Sequence, residues 1–278
     1  MRKVYVLLAG LCIGFTAMAQ TDTVVEQTKK VDTIRIGSLI IIKKGDGRYE
    51  NRDGSVKIHR EKHRPQNVST NWVIVDLGFA NYSDKTNYPG AVAAGVVAPG
   101  LGKEDFNLRN GKSVDVNIWL FMQRLNVIKH VVNLKYGLGI ELNNYRYESA
   151  LHYDKTNNIF TNDAIRHYKK NKLAADYLTV PLMLNFNFTP RNYYNKSFGF
   201  SAGISAGYLY SSRQKMITIE DGKQKTHDDF YLRPFKISYV AELQMGPVKL
   251  YGSLATQSMF EKGLDQTPYT VGLRLSNW

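Results

Sequence analysis

The sequence predicts an all-β chain: an eight-stranded antiparallel up-and-down transmembrane β-barrel with a short N-terminal periplasmic extension. Three observations carry this. Residues 177–188 (YLTVPLMLNFNF) set Leu178, Val180, Leu182, Leu184, Phe186 and Phe188 at every second position, with Thr179, Asn185 and Asn187 between them. A period of two sends the two sets to opposite faces of a strand. Seven further stretches repeat the pattern, and the connections between them run long, short, long, short, long, short, medium. Short turns on one rim and long loops on the other, around an even number of strands, are the mark of a barrel that crosses a bilayer.

Residues 1–19 read as a secretory signal peptide. Arg2 and Lys3 begin it, residues 4–15 are apolar, and Ala17-Met18-Ala19 is a small-x-small cleavage site before Gln20. The only cysteine, Cys12, lies inside the apolar run behind Leu11, which is not the small residue a lipid-attachment site wants. The mature chain then has no disulfide, thiol nucleophile or thiolate metal site. No stretch approaches 18 consecutive apolar residues, so no spanning helix is expected. Without Arg2 and Lys3, 35 basic residues face 24 acidic ones. An exported chain would rarely meet nucleic acid, so this balance points to anionic lipid headgroups, an acidic envelope partner or a merely solvated surface.

Residues 20–71 form a polar, basic periplasmic segment. Ile34, Ile36, Leu39, Ile40, Ile41 and Ile42 suit one short strand and residues 56–59 a second, joined by the turn-rich residues 45–54 (GDGRYENRDG). A disordered tether is the alternative, given the charge density of residues 57–64.

The barrel domain is expected over residues 72–278, beginning at Trp72. Strand one turns Val73, Val75, Leu77 and Phe79 outward, with Ile74, Asp76, Gly78 and Ala80 inward. Strand two sets Val114, Val116, Ile118, Leu120 and Met122 outward against Asp115, Asn117, Trp119, Phe121 and Gln123. In strand three Val132, Leu134, Tyr136, Leu138, Ile140 and Leu142 oppose Asn133, Lys135, Gly137, Gly139, Glu141 and Asn143. Residues 177–188 are strand four. Strand five has Phe198, Phe200, Ala202, Ile204, Ala206, Tyr208 and Tyr210 outward. In strand six Phe235, Ile237, Tyr239, Ala241 and Leu243 alternate with Lys236, Ser238, Glu242 and Gln244. Gly246-Pro247 makes the tightest turn, and strand seven follows with Leu250 and Leu254 outward and Lys249, Tyr251 and Ser253 inward. The last strand turns Tyr269, Val271, Leu273 and Leu275 outward, with Gly272 and Arg274 inward.

About 9 positions per strand at ~3.3 Å each, tilted near 40°, cover ~23 Å, close to the apolar band of such barrels. Lipid offers amides no partners, so the first strand must pair with the last. Eight strands enclose room for side chains only. Asp76, Asp115, Lys135, Glu141, Lys236, Glu242, Lys249 and Arg274 should therefore fill the lumen as a polar network of mixed sign, a plug and not a pore. Trp72, Phe188, Phe198 and Trp278 suit an aromatic girdle at one rim, and Tyr82, Tyr145, Tyr210 and Tyr269 one at the other.

Chemistry at the loops is thinly supported. His227-Asp228-Asp229 is the best candidate for activating water or holding a cation, against a solvated polar loop as the plainer reading. His152 and His167 share a connection with Lys169, Lys170 and Lys172, a basic patch suited to lipopolysaccharide phosphate. Residues 90–102 (GAVAAGVVAPGLG) fit either a loop packed over the barrel mouth or a flexible surface loop. No phosphate-cradling loop, serine-centred elbow or zinc spacing is present. No catalytic, metal or cofactor residue is therefore assigned.

Tyr177-Leu178-Thr179-Val180-Pro181-Leu182 resembles the recurring Tyr-Leu-x-x-Pro-Leu strand of the PorT-like family of small outer-membrane barrels. The close, YTVGLRLSNW, looks like that family's terminal strand, and the resemblance implies that Tyr269, Val271, Leu273, Leu275 and Trp278 form the signal read by the barrel-assembly machinery. Two departures stand out. Pro181 removes a ladder hydrogen bond in a central strand, which a bulge or loop contact must absorb. Trp278 is out of phase with Leu273 and Leu275. The expected partners are outer-membrane lipid, the assembly machinery, and lipopolysaccharide or an envelope protein. The reading is a non-enzymatic outer-membrane protein with a structural or interaction role: membrane integrity, adhesion or secretion assembly. A hydrolase or acyltransferase at the extracellular rim is the alternative, and a narrow transport pore the third.

Overall fold

The computed structural model describes residues 32–36, 39–43, 66–163, 166–189 and 197–276. The expected signal peptide, the expected strand at residues 56–59 and Trp278 lie outside them. Two units are separable, one up to Arg64 and one from Pro65. In the first, β1 (Asp32–Ile36) and β2 (Leu39–Lys43) pair antiparallel, from Asp32 with Lys43 to Ile36 with Leu39. The expected single strand is thus two.

The second unit carries β3 (Val68–Asp84), a short helix α1 (Tyr88–Ala93), β4 (Val114–Ile128), β5 (Val132–Arg146), β6 (Leu151–Asp154), β7 (Ile159–Asn162), β8 (Tyr168–Asn187), β9 (Phe198–Thr218), β10 (Lys223–His227), β11 (Phe235–Met245), β12 (Val248–Ala255) and β13 (Gln266–Leu275). Eight of these, β3, β4, β5, β8, β9, β11, β12 and β13, pair in that order, each antiparallel to the next. The ring is completed by β13 on β3, from Gln266 with Asp84 to Arg274 with Asp76. β3 begins at Val68 instead of Trp72, because Val68 to Asn71 find partners on β4. β8 and β9 overshoot the expected strands at their loop ends, where Lys170 to Ala175 pair with Ser212 to Ile217.

The alternation sorts the wall. Leu77 is 62% exposed while its neighbour Asp76 is 0% exposed. Along β8 and one residue past its end, Leu178, Val180, Leu182, Leu184, Phe186 and Phe188 all face out, a span of about 25 Å at ~3.3 Å rise and ~40° tilt. Three expected orientations are corrected in β4, where Met122 points inward and Phe121 and Gln123 outward. Leu120 is an extra residue between the pairs Trp119–Gly139 and Phe121–Leu138, so the side-chain phase slips by one. Opposite it Val73 takes a φ of 53°, which puts Trp72 and Val73 both outside; the Trp72 and Phe121 rings lie 6.0 Å apart there. Tyr82 and Tyr145 are also corrected: both are buried beneath the loops, with ring centroids 5.8 Å apart, instead of facing lipid.

Pro181 costs little, because the β5–β8 ladder already lapses there. Its pairs jump from Tyr136–Leu182 to Gly139–Thr179, while the β8–β9 ladder runs on through Pro181. Across that gap Gly139 lets the wall close on Trp119. A Cβ on Gly139 would stand 2.5 Å from the Trp119 ring and 2.8 Å from the Ile118 carbonyl oxygen. Gly139→Ala should accordingly lose about 1–3 kcal/mol of stability through overpacking, measured as a lower denaturant midpoint of the refolded chain in detergent. Gly111→Ala, with no atom within 4 Å of the added carbon, should leave that midpoint unchanged.

Candidate functional site

Alternation delivers the inward side chains to one narrow volume, and there the opposite charges meet. Arg274 on β13 donates to Asp76 on β3 through Nε and a terminal nitrogen, each at 2.6 Å, and its other terminal nitrogen reaches Glu242 on β11. Glu242 also accepts from Lys135 on β5. Trp119 Nε1 donates to the same Asp76 carboxylate at 2.6 Å. Higher up, Lys236 pairs with Glu141 and lies 4.4 Å from the Tyr177 ring centroid. Asp115 accepts from the Tyr251 hydroxyl and from Asn117 Nδ2. Lys249 is fully buried two positions from Tyr251 on β12, the direct partner of Glu242. The space left among Asp115, Trp119, Glu242 and Arg274 is about 30 Å³, enough for about one water.

Sequence reasoning missed the roles of Trp119, Asn117 and Tyr251. Their inward phase was readable, but which strand each would reach across the ring was not. Ile74, Trp119, Met122 and Met183 make a small apolar cluster in the same lumen, so the fill is not wholly polar.

Over the rim opposite the tight turns, the four long connections pack into one apolar cap. In residues 85–113, α1 starts at Asn87, whose side chain accepts from the Gly90 N–H, and stops before Gly95 at a φ of 68°. Ala91, Val96, Val97 and Leu101 are buried under this segment, so residues 90–102 are a packed loop. Val97 forms a parallel bridge with Phe160 of the β6–β7 hairpin. Each connection supplies an aromatic: Phe106, Phe160, Phe230 and Phe260. Phe160 stands edge-on to Phe106 and to Phe260 at 5.9 Å each, and Tyr153 to Phe230 at 5.0 Å. Such edge contacts add about 0.5–1.5 kcal/mol each beyond burial.

Polar side chains on the strand overshoots hold the hairpin down. Gln214 accepts from the Tyr153 N–H at 2.8 Å and donates to the Leu151 carbonyl and to Asn171 Oδ1, both at 2.9 Å. Asp84 accepts from the Tyr88 hydroxyl at 2.7 Å and from Gln266 Nε2 at 2.9 Å, tying the first connection to β13.

Among the described residues the loop histidines lie apart from one another. His227 ends β10 exposed, and its carbonyl accepts from Lys155 at 3.1 Å. Asp228 lies 3.5 Å from Lys155, and Asp229 accepts from the Tyr231 N–H at 3.1 Å. His167 Nδ1 is 3.0 Å from Glu220, which holds that carboxyl below its ordinary range. His152 is half-buried on β6; burial lowers its pKa, and Nδ1 has no hydrogen-bond partner. Among the described residues no three His, Cys, Asp or Glu side chains are grouped to hold a metal ion.

Of the terminal-strand residues, Tyr269, Val271 and Leu273 face outward on β13. Leu275 is the last residue of β13, and Trp278 lies outside the described residues.

Two crystal structures of Ail, the attachment invasion locus protein of Yersinia pestis, are distantly similar. One matches at 11% identity and a TM-score of 0.31, covering 73% of this chain and 96% of that one. The other, in complex with the heparin analogue sucrose octasulfate, matches at 13% identity and a TM-score of 0.29 over the same shares. No curated protein matches significantly. The family model for the outer membrane protein beta-barrel domain matches residues 74–264, from within β3 into the connection before β13. With the ring and its apolar belt already described, that match makes the chain a member of the outer membrane β-barrel domain family, a protein of the outer membrane.

Proposed function

We propose that this barrel works without catalysis or conduction, as a rigid outer-membrane platform whose capped loops meet a partner at the cell surface, in adhesion, envelope integrity or secretion assembly. The observation that carries the reading is the interlocked lumen: Asp76, Trp119, Lys135, Glu242 and Arg274 span it wall to wall. A conducting barrel needs a continuous polar path, and buried ion pairs of this kind resist opening because each broken pair leaves a charge without a partner. Affiliation with the PorT-like barrels rests on the residues 177–182 motif. The N-terminal segment is taken as periplasmic because it precedes β3 on the rim of tight turns. Tyr269, Val271 and Leu273 on the outer face of β13, together with Leu275 and Trp278 in the sequence that follows, are the proposed signal for the barrel-assembly machinery.

In planar bilayers the purified chain should give no stable conductance steps; reproducible unitary openings would refute a sealed lumen. Asp76→Ala strands Arg274 and Trp119 and should destabilise the refolded barrel by about 3–5 kcal/mol, visible as a lowered unfolding midpoint. Phe160→Ala, which removes the central ring of the cap, should open residues 147–167 to limited proteolysis while the strands remain protected; unchanged protection would mean that the cap is not held by its aromatic contacts.

A further inference from the structure

Above the lipid belt, the overshooting strands carry a basic face. On β8 the even-numbered residues from Leu184 to Leu178 are exposed, Asp176 and Ala174 above them are covered, and Lys172 and Lys170 beyond are partly exposed. Their odd-numbered neighbours Asn171 and Leu173 are buried under the cap. Register then lines up cations from four strands: Arg146 on β5 pairs with Lys172 on β8, Lys172 with Lys215 on β9, and Lys215 with Lys225 on β10. One step further out, Lys170 and Lys223 flank Ile217. Like charges placed directly across strands are destabilising.

The nearby acids are occupied. Asp176, the outward residue between this face and Leu178, is bound by Arg213. At the far end Glu220 is engaged by His167 and Asp221 by Arg166. Burial, and then Lys170, Arg213 and Lys215, push the Lys172 amine down to about 8. The Lys172 amine donates to Asn144, and Arg146 donates to the Lys169 carbonyl at 2.9 Å. Neither contact brings a negative charge.

We infer that the row Arg146–Lys172–Lys215–Lys225, with Lys170 and Lys223 beyond it, binds the phosphates of a phosphorylated glycolipid in the outer leaflet. The inference rests on the outer-membrane reading and names a partner for one face of it. Position selects the lipid. The row is four residues beyond Asp176 on the wall that below it faces hydrocarbon, about 10 Å further out at ~3.3 Å rise and ~40° tilt. A headgroup layer adds about 5–7 Å to each side of the hydrocarbon, and a lysine can lean its amine down to it. The phosphates lie beside this face, whereas a soluble partner would approach the cap from above.

The test uses the full mature chain refolded in zwitterionic detergent at low salt, with fluorescent bis-phosphorylated lipid A as probe. Lys172→Gln, Lys215→Gln and Lys225→Gln together should weaken binding about a hundredfold. The corresponding triple arginine variant should keep it, and Lys85→Gln, Lys103→Gln and Lys112→Gln together should leave it unchanged. Dephosphorylated lipid A should not bind measurably, and added salt should weaken the bis-phosphorylated form. Equal binding by the glutamine triple, or by the dephosphorylated lipid, overturns the proposal. Tighter binding of heparin than of lipid A, lost in the same triple, overturns the lipid assignment in favour of a soluble polyanion. Heat-dependent gel mobility separates the two layers: a chain without the folded-barrel shift defeats the barrel reading and this inference with it. A folded chain indifferent to the substitutions defeats this inference alone.

Discussion

A peptide group in hydrocarbon has nowhere to place its N–H and C=O except on another strand, at several kcal/mol per group left over. Closure of β13 on β3 answers that demand, and the irregularities are confined by it. Val73, the extra Leu120 and the lapsed β5–β8 pairs at Val180 and Pro181 form one diagonal belt across four neighbouring strands. Ile74, Trp119, Met122 and Met183 lie behind it inside the barrel. A fault in one ladder is absorbed by the fault beside it, and apolar side chains keep water from the weakened stretch.

The same closure gives the lumen charges their meaning. Eight strands leave room for about one water among four acids and four bases, so the charges must be answered by neighbours. Such pairs add little net stability over a well-packed apolar fill. Their stronger effect is on register: a one-residue slip of any strand would turn its inward charge into lipid and its outward leucines into the lumen. Arg274, bridging Asp76 on β3 and Glu242 on β11 from β13, fixes three strands at once.

Most of the wall was legible because lipid on one side and a filled lumen on the other enforce a period of two with almost no exceptions. The exceptions were the illegible part. Nothing in the run Trp119-Leu120-Phe121-Met122 announces an extra residue, since all four side chains are apolar and either phase looks acceptable. Pairing across the ring was equally hidden: the sequence supplied Asp76 and Arg274 as inward residues but could not say that Trp119 would share the carboxylate. The cap left a signal that was passed over. Phe106, Tyr153, Phe160, Phe230 and Phe260 are too many large rings for freely solvated loops, and their spacing along the chain has no period to reveal them. Tyr82 and Tyr145 were misread for the same reason: a tyrosine at a strand end suits an interfacial girdle and a loop core equally well.

The overshoot of β8 and β9 joins these parts. Below it, alternation separates lipid from lumen; above it, the same alternation separates the outside from the cap. β8 keeps one phase from Lys170 to Asn187, but β9 carries an extra residue where its pairing steps from Tyr177–Leu209 to Asp176–Ser211. Its outward set therefore changes from Phe200, Ile204 and Tyr208 to Arg213, Lys215 and Ile217. Without that one residue, Lys215 would point under the loops, and Gln214 and Met216 would point away from the hairpin they hold. The bulge at Tyr210 thus decides two things together: that the β6–β7 hairpin has a glutamine to pin it, and that the lysines of β9 join those of β8 and β10 on one outer face.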